Sequence, residues 1–115
     1  MDDVKVMPRA RVVALVPDLM DRSRVAAAAA RCGRPLVVVA TAGELAAASD
    51  EAGATYLVDL ARPGALEALA GLPGERTVGF AGHVERELVS RARSVSDARI
   101  MARSKLFGSL DDVLA

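Results

Sequence analysis

The chain has 115 residues, of which 52% are hydrophobic and 26% are charged, and its 15 basic residues balance 15 acidic ones. This length suits one domain and excludes two independent cores. A net charge of zero provides no long-range attraction to nucleic acid or to anionic lipid, so both are disfavoured as partners. The apolar runs are far shorter than the roughly 20 residues that a membrane crossing needs.

The amino terminus and the cysteine content indicate the cellular compartment in which the protein occurs. The first five residues, Met-Asp-Asp-Val-Lys, lack the basic region and the apolar stretch of a signal peptide, and Cys32 is the only cysteine. These features predict a cytoplasmic protein without a disulfide and without a cysteine-based metal site. We expect residues 1–10 to form a loose tail and residues 11–115 to form a single domain.

Five short apolar runs have the length of β-strands. Most of them lack an alternation of apolar and polar residues, which is typical of parallel strands that helices cover on both faces. The predicted strands are Val12–Val16, Leu36–Ala40, Tyr56–Val58, Val78–Ala81 and Arg99–Ala102.

Amphipathic stretches between these runs predict helices, and glycines mark several of their ends. Thr41 and Glu44 have the spacing of a capping box, which predicts a helix that continues to Gly53. The last helix has fewer than two turns, so we expect it to be frayed or to depend on a partner. The predicted helices are Asp21–Cys32, 41–53, Pro63 to about Gly71, His83–Ser94 and Ser109–Ala115.

The alternation of strands and helices, without a hairpin signal, predicts an α/β fold with three layers, α/β/α. The best single topology is a doubly wound, flavodoxin-like sheet of five parallel strands in the order 2-1-3-4-5. In such sheets the functional crevice lies beyond the carboxyl ends of the strands, beside the switch point between strands one and three. The loops Pro17–Asp21, Leu60–Gly64 and Ala81–Val84 and the end of strand five would border that crevice.

Three charged residues follow strands that end at this crevice. Asp18 lies after strand one, Asp59 ends strand three and Lys105 follows strand five. Two neighbouring carboxylates can bind Mg²⁺, and a lysine supplies a compact positive charge for phosphate. Lysine is rare in this chain, where arginine outnumbers it 13 to 2, and this favours a specific role for Lys105.

These segments resemble the response-regulator receiver domain. The stretch Tyr56–Gly64 is similar to that family's phosphoacceptor segment, Val16–Asp18 stands where the family has an acidic pair, and Ser104–Phe107 stands where it has Lys-Pro-Phe. The resemblance implies that Asp59 is the phosphoacceptor and that Lys105 contacts phosphate or carboxylate. It also implies that Asp18 and Asp59 hold Mg²⁺.

Three departures from the family pattern weaken the implied chemistry. Pro17 replaces one metal-binding carboxylate, the segment Gly79–Gly82 lacks the hydroxyl residue expected after strand four, and Leu106 replaces the proline after the lysine. They favour a degenerate receiver, or pseudo-receiver, that is not an enzyme and recognises a protein partner. At most a weak Mg²⁺ site remains, and no other cofactor is expected.

Alternative interpretations stay open. Asp59 and Asp18 can each serve as a cap for the backbone that follows, and the lone His83 suits a surface position. The second hypothesis for the whole chain is a working receiver that is phosphorylated on Asp59. The third is a small-molecule or nucleotide-binding domain that uses backbone amides at helix ends, although no glycine-rich phosphate motif is present.

A partner would dock on the crevice loops or on the face formed by helix four, strand five and the final helix. The final helix looks too short to cover its side of the sheet, which would leave apolar side chains exposed. A homodimer through that face is the simplest way to cover them. The apolar residues concerned are Leu106, Phe107, Leu110, Val113 and Leu114.

Overall fold

The structure is a computed structural model that describes residues 10–115, so the predicted tail, apart from Ala10, lies outside the described residues. Its strands are β1 (Val12–Leu15), β2 (Leu36–Val38), β3 (Thr55–Asp59), β4 (Thr77–Ala81) and β5 (Arg99–Ala102). Its helices are α1 (Leu19–Arg31), α2 (Ala42–Ala47), α3 (Ala65–Ala70), α4 (Arg86–Val95), α5 (Arg103–Phe107) and α6 (Leu110–Leu114), with a 3₁₀ turn at Gly74–Arg76.

The five strands form one sheet in the order β2-β1-β3-β4-β5, and every neighbouring pair is parallel. In the centre of the sheet, Val13 lies opposite Val37 on one side and Tyr56 on the other. The predicted α/β class and the predicted strand order are therefore confirmed. Because all strands run in one direction, their carboxyl ends share one edge.

Helices cover both faces of this sheet, which gives the predicted three layers. Val13 and Leu15 pack with α2, α3 and α4 on one face, and Val12 and Ala14 pack with α1, α5 and α6 on the other. All four strand residues are buried. Alternate residues of β1 therefore enter different cores, which explains why the strand is apolar at every position.

Several predicted helix boundaries are wrong. The first helix begins at Leu19 rather than at Asp21, and the fourth begins at Arg86 rather than at His83. The second helix ends at Ala47 rather than at Gly53, because Ala48 and Ser49 bond to carbonyls only three residues back and tighten the last turn. Gly53 instead takes a left-handed φ of 75° in the turn before β3. The third helix begins at Ala65 rather than at Pro63, after Gly64 has turned the chain with a φ of 77°.

The expectation of a frayed final helix is also wrong. A helix that the sequence did not predict, α5, precedes α6, and Leu106, Leu110 and Leu114 are all buried against the sheet and α1. Buried Arg34 donates to the carbonyl of Leu114 at 3.3 Å. Arg31 pairs with an aspartate in the first turn of α6.

The predicted uncovered apolar face is therefore largely absent. Of its five residues, only Phe107 and Val113 keep partial exposure. A homodimer through α4, β5 and the final helix remains a prediction, but it loses this support. Within residues 10–115, no helix combines the length and apolar character of a membrane span.

We expect Leu114→Ala to lower the free energy of unfolding by about 2–5 kcal/mol, because the side chain is fully buried and its removal leaves a cavity. The half-buried neighbour gives the control Val113→Ala, for which we expect less than half of that loss. Urea unfolding followed by circular dichroism measures both. Equally small losses would mean that α6 is frayed after all.

Candidate functional site

The carboxyl edge of the sheet forms a crevice where the chain reverses its direction of winding. From β1 the chain adds β2 on one side and then β3 on the other, so the loops after β1 and β3 leave the sheet in opposite directions. The loop after β4 and the start of α5 border the same edge.

Asp59 is the last residue of β3 and is half-buried. Its Oδ1 accepts a hydrogen bond from the backbone N–H of Ala61 at 3.0 Å. Burial raises the pKa of the Asp59 carboxyl above its usual value, against the effect of the Ala61 bond. Arg62 and Arg103 also oppose the rise, and Glu85 adds to it. Asp59 thus serves as a turn cap and still presents a partly accessible carboxylate.

Asp18 caps the amino end of α1. The residue is exposed, has extended backbone geometry and accepts a hydrogen bond from the N–H of Asp21 at 3.0 Å. This is the capping role that the sequence left open for it. A metal-binding role for Asp18 stays a prediction.

An ion pair between a buried carboxylate and a partly exposed arginine links α1 to the residue that follows β5. Asp21 is only 3% exposed, and its two carboxylate oxygens accept from the two terminal nitrogens of Arg103 at 2.6 and 2.5 Å. Such a bidentate pair is among the strongest hydrogen-bonded arrangements in proteins. Arg103, the first residue after β5, thus supplies the cation that pairs with a carboxylate at this edge.

An aromatic ring also contacts the Arg103 guanidinium. The guanidinium carbon lies 5.1 Å from the centre of the Phe107 ring, within the range of a cation–π contact. Phe107 in turn meets the buried Phe80 edge to face, with ring centres 5.5 Å apart. Arg103 is therefore in contact with both the Asp21 carboxylate and the Phe107 ring.

Lys105 lies inside α5, two residues beyond Arg103, and is exposed. Among the residues that the structure describes, its ammonium has no carboxylate within 4.0 Å. Its contact with phosphate or with a carboxylate therefore stays a prediction. His83 is exposed, as its surface interpretation predicts.

Sequence reasoning missed the Asp21–Arg103 pair, although two signals were available. Asp21 falls in the first turn of α1, one turn beyond Asp18, and Arg103 directly follows the correctly predicted fifth strand. The rarity of lysine directed attention to Lys105 instead.

No protein-family model and no curated protein matches this chain. Solved structures do match it. A CheY-like receiver domain protein from Methanospirillum hungatei is 19% identical with a TM-score of 0.70, and the match covers 92% of this chain and 94% of that one. A response regulator from Hahella chejuensis is 14% identical with a TM-score of 0.73, over 91% and 92%. The chain has the receiver-domain fold.

The receiver fold also occurs within longer chains. NtrX from Brucella abortus is 20% identical to this chain, with a TM-score of 0.68, and the match covers 92% of this chain but only 27% of NtrX. The chain therefore spans about a quarter of NtrX. At sequence identities of 14–20%, the similarity to these structures establishes the fold alone.

The residues at the edge of this receiver fold do not suit a divalent cation. Mg²⁺ requires an octahedral set of oxygen ligands. Asp21 gives both oxygens to Arg103, Asp18 gives one oxygen to its helix, and Pro17 offers no side-chain ligand. Within residues 10–115, no three His, Cys, Asp or Glu side chains are arranged to hold a metal.

We expect Arg103→Met to lower the free energy of unfolding by about 1–3 kcal/mol, because it leaves the buried Asp21 carboxylate without its donors. The loss falls short of that for a fully buried pair since the Arg103 side chain is 44% exposed and water can enter. The control Arg99→Met changes an exposed arginine of β5 and should cost little. Chemical unfolding measures both, and equal losses would contradict the importance of the pair.

We expect Asp59→Asn to stabilise the protein at neutral pH. A carboxyl whose pKa is raised in the folded state binds its proton more tightly there, so stability falls as pH rises above the ordinary value of about 3.9. Asparagine keeps the bond to Ala61 and removes the buried charge. Thermal unfolding should show a higher melting temperature for Asp59→Asn than for the wild type at pH 7. This difference should disappear at acidic pH.

The matched control is Asp18→Asn, because asparagine caps a helix as well as aspartate does. We expect no gain in stability from this control at any pH. If Asp59→Asn instead lowered stability at neutral pH, the cations Arg62 and Arg103 would outweigh the burial of Asp59.

Proposed function

We propose that this chain is a degenerate receiver: a signalling or protein-interaction domain that keeps the receiver scaffold while its phosphorylation chemistry is reduced or absent. The observation that carries this proposal is the Asp21–Arg103 pair. It commits a buried carboxylate and a cation of the crevice to each other.

Charge balance supports the proposal. A phosphoryl group on Asp59 would place roughly two negative charges at a half-buried position. Arg62 is exposed, Glu85 is negative, and the charge of Arg103 is largely neutralised by Asp21. With a donor set poorly suited to Mg²⁺, stabilisation of the transfer would depend on Lys105, whose contact with phosphate stays a prediction.

The end of β4 supports the same conclusion. The segment Gly79–Gly82 carries no side-chain hydroxyl and leads directly to His83. A phosphoryl group on Asp59 would therefore have no hydroxyl partner from this segment. Asp59 itself remains partly accessible at the end of β3, which is the one observation in favour of the second candidate, a working phosphoacceptor.

The surface around the crevice supports a role in protein recognition. Leu19 and Met20 in the first turn of α1 are 73% and 71% exposed, and Val84 in the loop after β4 is 79% exposed. Large exposed apolar side chains beside a crevice are typical of interaction surfaces. A protein partner that docks on the crevice loops would cover them.

A second surface lies between α4 and β5. The sequence analysis also predicts that a partner docks on this face. A groove of about 430 Å³ has Val89, Ile100 and Met101 in its wall, together with Arg86 and Arg93. An apolar surface beside arginines suits a protein partner better than it suits a small substrate.

We expect no phosphoryl transfer when the protein is incubated with acetyl phosphate and Mg²⁺. Intact-mass spectrometry should give the same mass before and after incubation for the wild type and for Asp59→Asn. A gain of one phosphoryl group that disappears in Asp59→Asn would replace the degenerate receiver by the working phosphoacceptor. A receiver domain with known activity serves as the positive control.

A further inference from the structure

A cavity of about 280 Å³ lies between α1, the loop after β4 and α5. Its wall is formed by Arg24, Gly82, His83, Arg103, Ser104 and Phe107, and does not include Asp59. We propose that this cavity binds an oxyanion, specifically a phosphate monoester. The proposal concerns a site other than the phosphoacceptor position and does not depend on the proposed function.

The wall of the cavity is basic. Arg24 is exposed, and among residues 10–115 no carboxylate lies within 4.0 Å of its guanidinium. Asp21 lies behind Arg103 and is buried, so the two together add almost no net charge. Arg24 also borders a neighbouring cavity that contains Asp111 and Asp112, but no carboxylate belongs to the wall of the present cavity, so the charge of Arg24 favours an anion there.

Donors from three different elements of the fold face this cavity. Arg24 from α1 presents a planar fork that can bind two oxygens of one phosphate group. His83 carries at least one ring N–H in either protonation state, and Ser104 carries a hydroxyl. In the described part of the chain, this hydroxyl makes no other hydrogen bond. A tetrahedral oxyanion can use donors that approach from several sides.

Phe107 makes one side of the cavity apolar. Its ring lies between the cavity and Phe80, which is buried. Inorganic phosphate would leave this apolar surface in contact with water, whereas the organic group of a phosphate monoester would bury it. The volume of about 280 Å³ is slightly below the range of about 300–1,000 Å³ for ligand pockets, so the ligand is small.

Nuclear magnetic resonance titration of the full chain tests the proposal. Inorganic phosphate and phenyl phosphate are added in separate experiments, with ionic strength held constant by potassium chloride. We expect saturable shifts of the Gly82 and Ser104 amide signals with both ligands, and tighter binding of phenyl phosphate. Potassium chloride alone should give no saturable shift.

Substitutions locate the site. Arg24→Ala should raise the Kd for phenyl phosphate about tenfold, because it removes a charged donor. Arg91→Ala changes another exposed arginine, on α4 and outside the cavity wall, and should leave the Kd within about twofold. Both positions are exposed, and circular dichroism verifies that both variants fold.

A phosphoserine tripeptide as a third ligand separates two sources of the same chemistry. Tighter binding of the peptide than of phenyl phosphate indicates a phosphorylated protein as the ligand, and the reverse order indicates a free metabolite. Shifts that never saturate, or equal weakening by Arg24→Ala and Arg91→Ala, would overturn the proposal. The acetyl phosphate experiment is unaffected by either result, so the two proposals fail independently.

Discussion

The ion pair between Asp21 and Arg103 is the constraint on which the geometry of the crevice depends. It joins the first turn of α1 to the residue after β5, 82 positions away in the chain. Because the Asp21 carboxylate is buried, its lost hydration has to be replaced by good hydrogen bonds, and the two terminal guanidinium nitrogens supply them. The same guanidinium also makes a cation–π contact with Phe107. The side chains of Asp21, Arg103 and Phe107 thereby fix the geometry of the crevice.

The charged groups of the carboxyl edge have two different surroundings. Asp59 lies near the opposite charges of Arg62 and Glu85. Arg24 and His83 line the cavity, whose wall contains no carboxylate. A net charge of zero for the whole chain disfavours binding to a polyanion, but it does not describe such a local separation. A small anion is attracted by the positive charge near its binding site, whatever the net charge of the whole chain.

Most of the fold could be predicted because a parallel sheet with two covered faces produces continuous apolar runs. The fifth strand, Arg99–Ala102, has the bounds that the sequence predicts. The errors occur where tertiary contacts decide an outcome that local signals cannot. The capping signal at Thr41 marks the start of α2 correctly, yet the helix stops after Ala47. The short α6 is packed through Leu110 and Leu114 and through a hydrogen bond from Arg34, all of which are contacts distant in sequence.

The site could be predicted only in part, since the position of a strand end is a local property and the burial of a side chain is not. Asp59 ends β3 as predicted. Asp18 and Asp21 are both aspartates near the start of one helix, but only Asp21 is buried and therefore needs a fixed cation. A bidentate pair requires the planar fork of arginine, which the compact ammonium of Lys105 does not offer. Geometry therefore determines which cation pairs with Asp21, and the composition of the chain does not indicate it.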